Sequence, residues 1–426
     1  MARRLNVTDG YAVINAMADE MLGKNATITA TDLSSFLSVG ETLLNSGIEN
    51  IINTLSLVAS RDLIAVRPYQ AKFRLVNALD SGMYSNRIRK ISYYAKDALP
   101  TGASNTQLFG ENLFQGADNG VHFDSSTPPV QQSVESMWRQ EQPIALQLWF
   151  GGSTEWQYSY TIYENALKSA FRSPEEWTAF LNGFLVACAN DIETEKEAFS
   201  RLTVLNAIGG VIDLASDMPG SAINLTTAFN TYFNITPAYT TQQLLTTYFD
   251  EFLKFFIETF QNVSDELEHR SIKYHWSPAK TVNGVSYVLP RQTKKADQRL
   301  IMNARFWNSA RARVMPAIFN PQYLAEPQME VVSYWQNIND PFAVSITPAI
   351  PDTSDPTEQT VGTAVSLSTV LGILYDRDAI MTDFHLEDVA SSPLEARKHY
   401  RTIWNTINKN AINDFTENIV VFYMAD

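Results

Sequence analysis

The chain has 426 residues, of which 45% are hydrophobic and 12% aromatic, so it can bury one large core or two moderate ones. Its formal net charge of -14 at pH 7 disfavours sequence-specific binding to nucleic acid and binding to anionic membranes, because the long-range field repels phosphate. The single cysteine, Cys188, cannot form an intrachain disulfide, and its apolar surroundings indicate an inert core thiol.

The N-terminal region predicts short helices in a soluble protein. One helix begins at Thr8 or Asp9 and ends at Gly23, and another begins at Thr31 or Asp32 and ends near Gly47, because these residues favour helix caps and helix ends. No signal peptide is apparent, and no run of about 18 uninterrupted apolar residues occurs. We therefore expect a protein made in a cytoplasm, without a membrane partner.

The next region predicts a projecting two-stranded hairpin. Residues 71–76 and 87–94 have the composition of strands, and 133–150 form a further extended segment. Between them, residues 96–132 are dense in Gly, Asn, Ser, Asp, Thr and Pro. A loop of this length either binds something or is a flexible surface loop.

Ser173 begins the clearest helix in the sequence. Ser173 is suited to the N-cap, Pro174 to the first helical position and Glu176 to a capping box. Apolar side chains recur at helical spacing to about Thr203, which predicts a rod of roughly 40 Å. The opposite face is acidic, which indicates a solvated surface, with a carboxylate site for a metal or for acid/base chemistry as the alternative.

Beyond Gly209-Gly210, residues 244–260 carry an aromatic stripe that predicts a core helix. Residues 294–313 hold the one basic concentration of the sequence. That concentration either contacts nucleic acid or forms a salt-bridge surface between subunits.

The last part of the sequence predicts strands. Residues 326–356 are rich in Pro and extended, 367–375 predict a buried strand, 394–404 a helix-like or turn-rich piece, and 417–424 a closing strand. An arm, a strand pair, a long helix, a helical middle and late strands together predict an α+β protein.

No catalytic, cofactor or metal site can be assigned. The sequence has no phosphate-binding loop, dinucleotide fingerprint, zincin motif, nucleophile elbow or CxxC pair. His269 and His275 do not have a zinc-site spacing. Asp376 and Asp378 form the most motif-like acidic pair, and side-chain hydrogen bonds to the backbone of a strand-end turn explain them.

The order of these elements resembles the major capsid protein of tailed bacteriophages, which has the Hong Kong 97-type fold. The late sequence VLGILYDRDAI, followed by ENIVVFYM, is similar to the end of many such proteins. The resemblance implies an N-terminal helical arm at residues 1–67 and an extended loop at 68–155. It also implies a peripheral domain with the spine helix at 156–216 and 357–426, and an axial domain at 217–356.

The resemblance implies a structural protein of the virion rather than an enzyme. Subunits would form the hexamers and pentamers of an icosahedral or prolate head, assembled in the bacterial cytoplasm around double-stranded DNA that is bound without sequence specificity. Further partners would be a separate scaffolding protein, a portal and decoration proteins. The expected intersubunit contacts are Arg87, Arg89, Lys90, Lys96 and Trp138. The alternatives are a portal or tail protein, or a carbohydrate-active enzyme.

Overall fold

The computed structural model describes most of the chain. The described residues are 7–22, 29–45, 73, 76–79, 87–95, 144–151, 154–278, 280–282, 285–313, 329–352, 355, 358–395 and 397–426. The α-helices are α1 Val7–Leu22, α2 Leu33–Asn45, α3 Glu164–Ala170, α4 Pro174–Asp213, α5 Leu225–Tyr232, α6 Thr241–Thr246, α7 Phe249–Glu266 and α8 Ala304–Arg313.

The strands lie mainly in the second half of the chain. They are β1 Asn77–Leu79, β2 Arg87–Tyr93, β3 Ala145–Gly151, β4 Thr154–Tyr163, β5 Ala222–Asn224, β6 Lys280–Val282, β7 Val285–Tyr287, β8 Gln298–Asn303, β9 Met329–Val332, β10 Val344–Ile346, β11 Ala349–Pro351, β12 Gln359–Val361, β13 Val365–Leu367, β14 Thr369–Asp376, β15 Ile380–Ser391, β16 Tyr400–Asn413 and β17 Ile419–Met424. This mixture of helices and sheets confirms the predicted α+β class.

Two sheets organise the molecule. The long sheet has four strands in the order β1-β15-β16-β4, and the central sheet has five strands in the order β5-β17-β14-β8-β9. Strands β14 and β15 are joined by a short turn, and so are β16 and β17. The chain therefore crosses between the two sheets twice, at neighbouring turns.

The N-terminal helices pack on the start of α4. Ile14 and Met17 of α1, Phe36 and Leu43 of α2, and Trp177 of α4 are fully buried in one cluster. Helix α2 begins after Asp32, whose carboxylate accepts a hydrogen bond from the backbone N–H of Ser35 at 2.8 Å. Both predicted helices are confirmed, and Asp32 rather than Thr31 caps the second. The predicted start of the first helix is wrong, because Thr8 and Asp9 lie inside α1, which already includes Val7.

Helix α4 has 40 residues, about 60 Å at the usual rise, and it contacts both sheets. Ser173 caps it as predicted, since its side chain accepts from the N–H of Glu176 at 3.2 Å. Near its middle, Phe199 packs edge-on against Phe384 of β15, with ring centroids 5.9 Å apart. Its last turns lie in the main core with side chains of the central sheet.

The prediction that the long helix ends near Thr203 is wrong. Gly209 and Gly210 lie inside the helix, and a Cβ at Gly210 would be 2.3 Å from Cζ of Phe415. At Gly209 a Cβ would be 2.6 Å from Cγ2 of Ile346. These glycines therefore allow close packing of the helix against other segments and do not end it.

Helices α5 to α8 cover one face of the central sheet. Phe252 and Phe256 of α7 contact Phe306 of α8 edge-on, and Phe256 also contacts Phe422 of β17. The aromatic stripe predicted from 244–260 is core, as expected. Two helices carry it, because α6 ends at Thr246 and α7 begins at Phe249.

Strands β2 and β3 pair antiparallel over their whole length, which confirms a two-stranded structure for this part of the predicted hairpin. We call this pair the ribbon. Strand β1 belongs to the long sheet instead, because it pairs in parallel with β15. The predicted strand at 71–76 lies mostly outside the described residues, and its described members, Phe73 and Val76, are not in a strand.

Several strands were not predicted from the sequence, among them β4, β8 and most of β15. Strand β4 was missed, although Trp156, Tyr158, Tyr160 and Ile162 alternate with polar residues. Strand β15 was missed beyond its first residue. The prediction of a helix-like or turn-rich piece at 394–404 holds for the turn at 397–399. It is wrong from Tyr400 onward, where β16 begins, because pairing with both β4 and β15 determines its conformation. The predicted strands at 367–375 and 417–424 are confirmed by β14 and β17.

Candidate functional site

The ribbon has one buried face and one exposed face. Leu146, Leu148 and Phe150 of β3 are buried together with Leu289 and Ile412. The alternate residues of the two strands point outward, as the period of two requires. The ribbon is therefore amphipathic and lies with its apolar inner face on the body of the protein.

The outer face of the ribbon also carries large side chains. Ile91 is 43% exposed, Tyr93 63% and Trp149 38%. Arg89 lies directly opposite Trp149 in the strand pairing, and its guanidinium carbon is 5.7 Å from the centre of the indole ring. Exposed aromatic, aliphatic and arginine side chains on one surface are the composition of protein contact sites.

Four charged side chains connect the ribbon to the rest of the protein. The Nζ of Lys90 in β2 forms ion pairs with the carboxylates of Asp414 and Glu417. Arg291 lies 3.3 Å from Oε1 of Glu417, and it donates to Ser92 Oγ of β2 at 2.7 Å. We call Lys90, Arg291, Asp414 and Glu417 the charged clamp.

The charged clamp is largely shielded from solvent. The side chain of Asp414 is 1% exposed, that of Glu417 14% and that of Lys90 27%. Burial lowers the pKa of Lys90, but the carboxylates of Asp414 and Glu417 outweigh burial and raise it overall. Lys90 therefore carries its charge at neutral pH and stabilises two carboxylates that would be unfavourable without it.

Both carboxylates lie on the turn that joins the two sheets. The backbone N–H of Asp414 donates to the carbonyl of Ala379 at 2.8 Å, and that of Asp376 donates to the carbonyl of Asn418 at 2.9 Å. These bonds join the two crossing turns to each other. We call residues 376–379 and 414–418 together the junction.

A buried polar chain supports the junction from the inside. The Nε2 of His275 donates to the carbonyl of Leu289 at 2.5 Å, and its Nδ1 faces Asn418 at 3.2 Å. Asn418 donates to Thr293 at 3.0 Å, which donates to Asp376 at 2.7 Å. Burial lowers the pKa of His275 to about 4. The imidazole is therefore neutral at physiological pH, and this network is structural.

A buried lysine joins the long helix to the long sheet. The side chain of Lys409 in β16 is fully buried, and its Nζ lies 2.7 Å from Glu195 of α4. It also lies 3.9 Å from the ring centre of Trp156. Burial lowers the pKa of Lys409 despite the carboxylate of Glu195. The acidic face of α4 is thus partly used for contact with the sheet rather than wholly solvated.

The structure places the predicted contact residues as follows. Arg89 lies on the outer face of the ribbon, Lys90 faces inward into the charged clamp, and Arg87 stands opposite Gly151 at the end of β2. Lys96 and Trp138 lie outside the described residues. Whether these five residues contact neighbouring subunits stays a prediction. Ile91, Tyr93 and Trp149 were not singled out, although the period-two alternation of both strands identifies them.

The basic segment is partly used within the chain. Lys295 lies 2.5 Å from Asp265, and Arg299 is buried. Arg305 and Arg311 are exposed on α8. The acidic pair at the end of β14 has the predicted role in a turn, since Asp376 accepts from the N–H of Asp378 at 2.9 Å.

The described residues contain neither a metal-binding cluster nor a membrane-spanning helix. In that part of the chain, no group of three His, Cys, Asp or Glu side chains could hold a metal ion. None of the described helices combines the length and the apolar character that a membrane span requires.

Comparisons with known proteins give a family. The model of the Phi29-like phage major capsid protein family matches residues 93–423. The chain is similar to the capsid structure of Staphylococcus phage Andhra, with 10% identity, coverage of 84% of this chain and 86% of that chain, and a TM-score of 0.46. It is also similar to the mature capsid of bacteriophage PhiM1, with 9% identity, coverage of 84% of this chain and 88% of that chain, and a TM-score of 0.38. The capsid structure of cyanophage P-SCSP1u is similar with 8% identity, coverage of 85% of this chain and 90% of that chain, and a TM-score of 0.38. Comparison with curated protein sequences finds no match.

Proposed function

Because the chain belongs to the Phi29-like phage major capsid protein family, we propose that it forms the hexamers and pentamers of an icosahedral or prolate head around double-stranded DNA. The protein is a building block of the phage capsid with the Hong Kong 97-like fold, and its location is the virion. Its role is structural and not enzymatic. The observation that carries the proposal is the outer face of the ribbon, whose large side chains are exposed in the single chain.

The outer face of the ribbon is the proposed contact with a neighbouring subunit. Ile91, Tyr93 and Trp149 expose apolar surface whose burial is favourable. Arg89 adds a planar cation that can pair with a carboxylate while it remains over the ring of Trp149. Repetition of one modest contact around a closed shell gives a stable assembly. Arg87, Lys96 and Trp138 are proposed contacts from the same part of the chain.

The division of the chain into domains is proposed from its resemblance to the major capsid proteins of tailed bacteriophages. Residues 1–67 form the arm, 68–155 the extended loop, 156–216 with 357–426 the peripheral domain, and 217–356 the axial domain. The net charge of -14 supports packaging without sequence-specific DNA contacts, because an acidic wall does not retain phosphate. Assembly in the host cytoplasm with a separate scaffolding protein, a portal and decoration proteins completes the proposal.

Electron microscopy of the purified full chain, expressed alone and with candidate scaffolding proteins, tests the function. Closed shells are expected. Rings without closed shells would indicate a portal or tail component instead. A monomer of about 48 kDa under every condition would overturn the proposal.

A matched pair of tryptophan variants tests the ribbon contact. Trp149 in the ribbon and Trp404 in the long sheet are 38% and 40% exposed. We expect Trp149→Ala to reduce shell yield at least tenfold, since a central aromatic contact is worth about 2 kcal/mol or more and recurs in every subunit. Trp404→Ala should retain shells. Equal yields from the two variants would exclude the ribbon as the main contact.

A further inference from the structure

The charged clamp connects three structural parts that the chain order keeps far apart. Lys90 belongs to the ribbon, and its partners Asp414 and Glu417 lie 324 and 327 residues later. Those partners sit where β16 of the long sheet ends and β17 of the central sheet begins. Ribbon, long sheet and central sheet therefore meet at one group of charges.

The junction is tied by backbone as well as by side chains. The two crossing turns are hydrogen-bonded to each other, and the N–H of Trp276 donates to the carbonyl of Phe415 at 2.7 Å. Arg291 donates from Nε to the carbonyl of Thr416 at 2.9 Å. The turn at 414–418 thus has a defined position relative to both sheets. A rotation of one sheet against the other must move the carboxylates of Asp414 and Glu417.

We propose that the charged clamp is a mechanical coupling, through which the angle between the two sheets determines the direction in which the ribbon projects. Lys90 follows the carboxylates because separation from them leaves buried charges without partners, which is strongly unfavourable. Arg291 adds a second link, since it binds Glu417 on the junction and Ser92 on the ribbon.

The coupling has a consequence for assembly that rests on the proposed function. Subunits in a closed shell occupy positions of different curvature, and each position needs its own angle between the body and the ribbon. If the ribbon moved independently of the body, its outer face would not be aligned with the neighbouring subunit. While Lys90 is paired with Asp414 and Glu417, a change of angle at the junction moves Trp149 and the other side chains of the outer face at the same time.

Hydrogen–deuterium exchange of the unassembled full chain tests the clamp. Lys90→Met removes the charge and keeps the apolar stem, so we expect amides in 87–95 and 144–151 to exchange at least tenfold faster. Amides in the second half of α4 should not change. Lys90→Arg keeps the charge and should remain within threefold of the unmodified chain. Lys168→Met, which removes an exposed lysine from its ion pair with Glu164 on α3, is the matched control and should leave the ribbon unchanged.

A ribbon that exchanges within twofold of the unmodified chain in Lys90→Met overturns the coupling. If Lys90→Met loosens the whole chain, Glu417→Gln decides, because it weakens both links and keeps Lys90 paired with Asp414. Faster exchange confined to the ribbon in Glu417→Gln supports the coupling, and an equal rise across the chain overturns it. Shell formation by microscopy is measured separately, so failure of the clamp is distinguishable from failure of the proposed function.

Discussion

Two glycines of the same helix should respond in opposite directions to the same substitution. Gly183 and Gly210 both lie within α4. A Cβ at Gly183 would meet no heavy atom within 4 Å among the described residues, whereas one at Gly210 would be 2.3 Å from Cζ and 2.6 Å from Cε1 of Phe415. Gly→Ala therefore tests the packing at the junction against an internal reference.

The expected magnitudes follow from two opposing effects. Alanine is favoured over glycine in a helix by about 1 kcal/mol, so Gly183→Ala should raise the free energy of unfolding by that amount. At Gly210 the same gain is opposed by overpacking, which costs about 1–3 kcal/mol. The ring cannot move away easily, because Phe415 is buried in the main core. We expect Gly210→Ala to be destabilised by about 1 kcal/mol, which places the two variants roughly 2 kcal/mol apart.

Urea unfolding of the unassembled chain, followed by tryptophan fluorescence, measures both variants. A second substitution identifies the cause, since Phe415→Leu shortens the side chain that meets the new Cβ. In the Phe415→Leu background, Gly210→Ala should cost less than it does alone. Shifts of equal sign and size at Gly183 and Gly210 would refute the close packing of α4 on the junction.

Three further predictions concern single side chains. Ser173→Ala removes the acceptor for the N–H of Glu176 and should lower the free energy of unfolding by about 1 kcal/mol, measured by urea unfolding. Lys409→Met keeps most of the side-chain volume but removes the ion pair of Glu195, whose side chain is 26% exposed, so it should cost about 1–3 kcal/mol in the same assay, whereas Lys409→Ala also leaves a cavity and should cost about 2–5 kcal/mol more. The pKa of His275 is lowered to about 4, below its unfolded value of about 6.5. As the pH falls from 6.5 to 4, His275 takes up a proton in the unfolded chain but not in the folded one. Its contribution to the free energy of unfolding is therefore fully present above pH 6.5 and is lost towards pH 4. The loss should reach about 3 kcal/mol in unfolding midpoints measured across that window.

Each of these predictions has its own control. Ser173→Thr keeps an acceptor oxygen, and a loss as large as that of Ser173→Ala would contradict the capping argument. A Lys409→Met variant as unstable as Lys409→Ala would show that the ion pair with Glu195, rather than the volume of the side chain, is needed there. His275→Gln should flatten the dependence of stability on pH between 6.5 and 4, and an unchanged slope would assign it to other groups.

Local patterns in the sequence were sufficient for several elements. The run from Ser173 to Glu176 predicted the start of α4, since capping and the first turn involve neighbouring residues. The alternation after Arg87 predicted β2 for the same reason. The order of the elements was also enough for the resemblance to a capsid fold, which the family match of residues 93–423 supports.

Contacts between distant segments decided the rest. The sequence could not indicate that α4 continues through Gly209 and Gly210, because the reason is the close approach of Ile346 and Phe415. Strand β16 is polar enough to look like a turn or a helix, and it is a strand because β4 and β15 pair with both of its edges.

The candidate site shows the same division. Alternation in the sequence was sufficient to locate the outer face of the ribbon, although Ile91, Tyr93 and Trp149 were not singled out, because neighbouring strand residues point to opposite sides whatever they pack against. The role of Lys90 was not predictable, because its carboxylates lie more than 300 residues later in the chain. Propensity and periodicity act over a few residues, whereas ion pairs and close packing depend on which distant segments the fold brings together, and only the tertiary structure determines those.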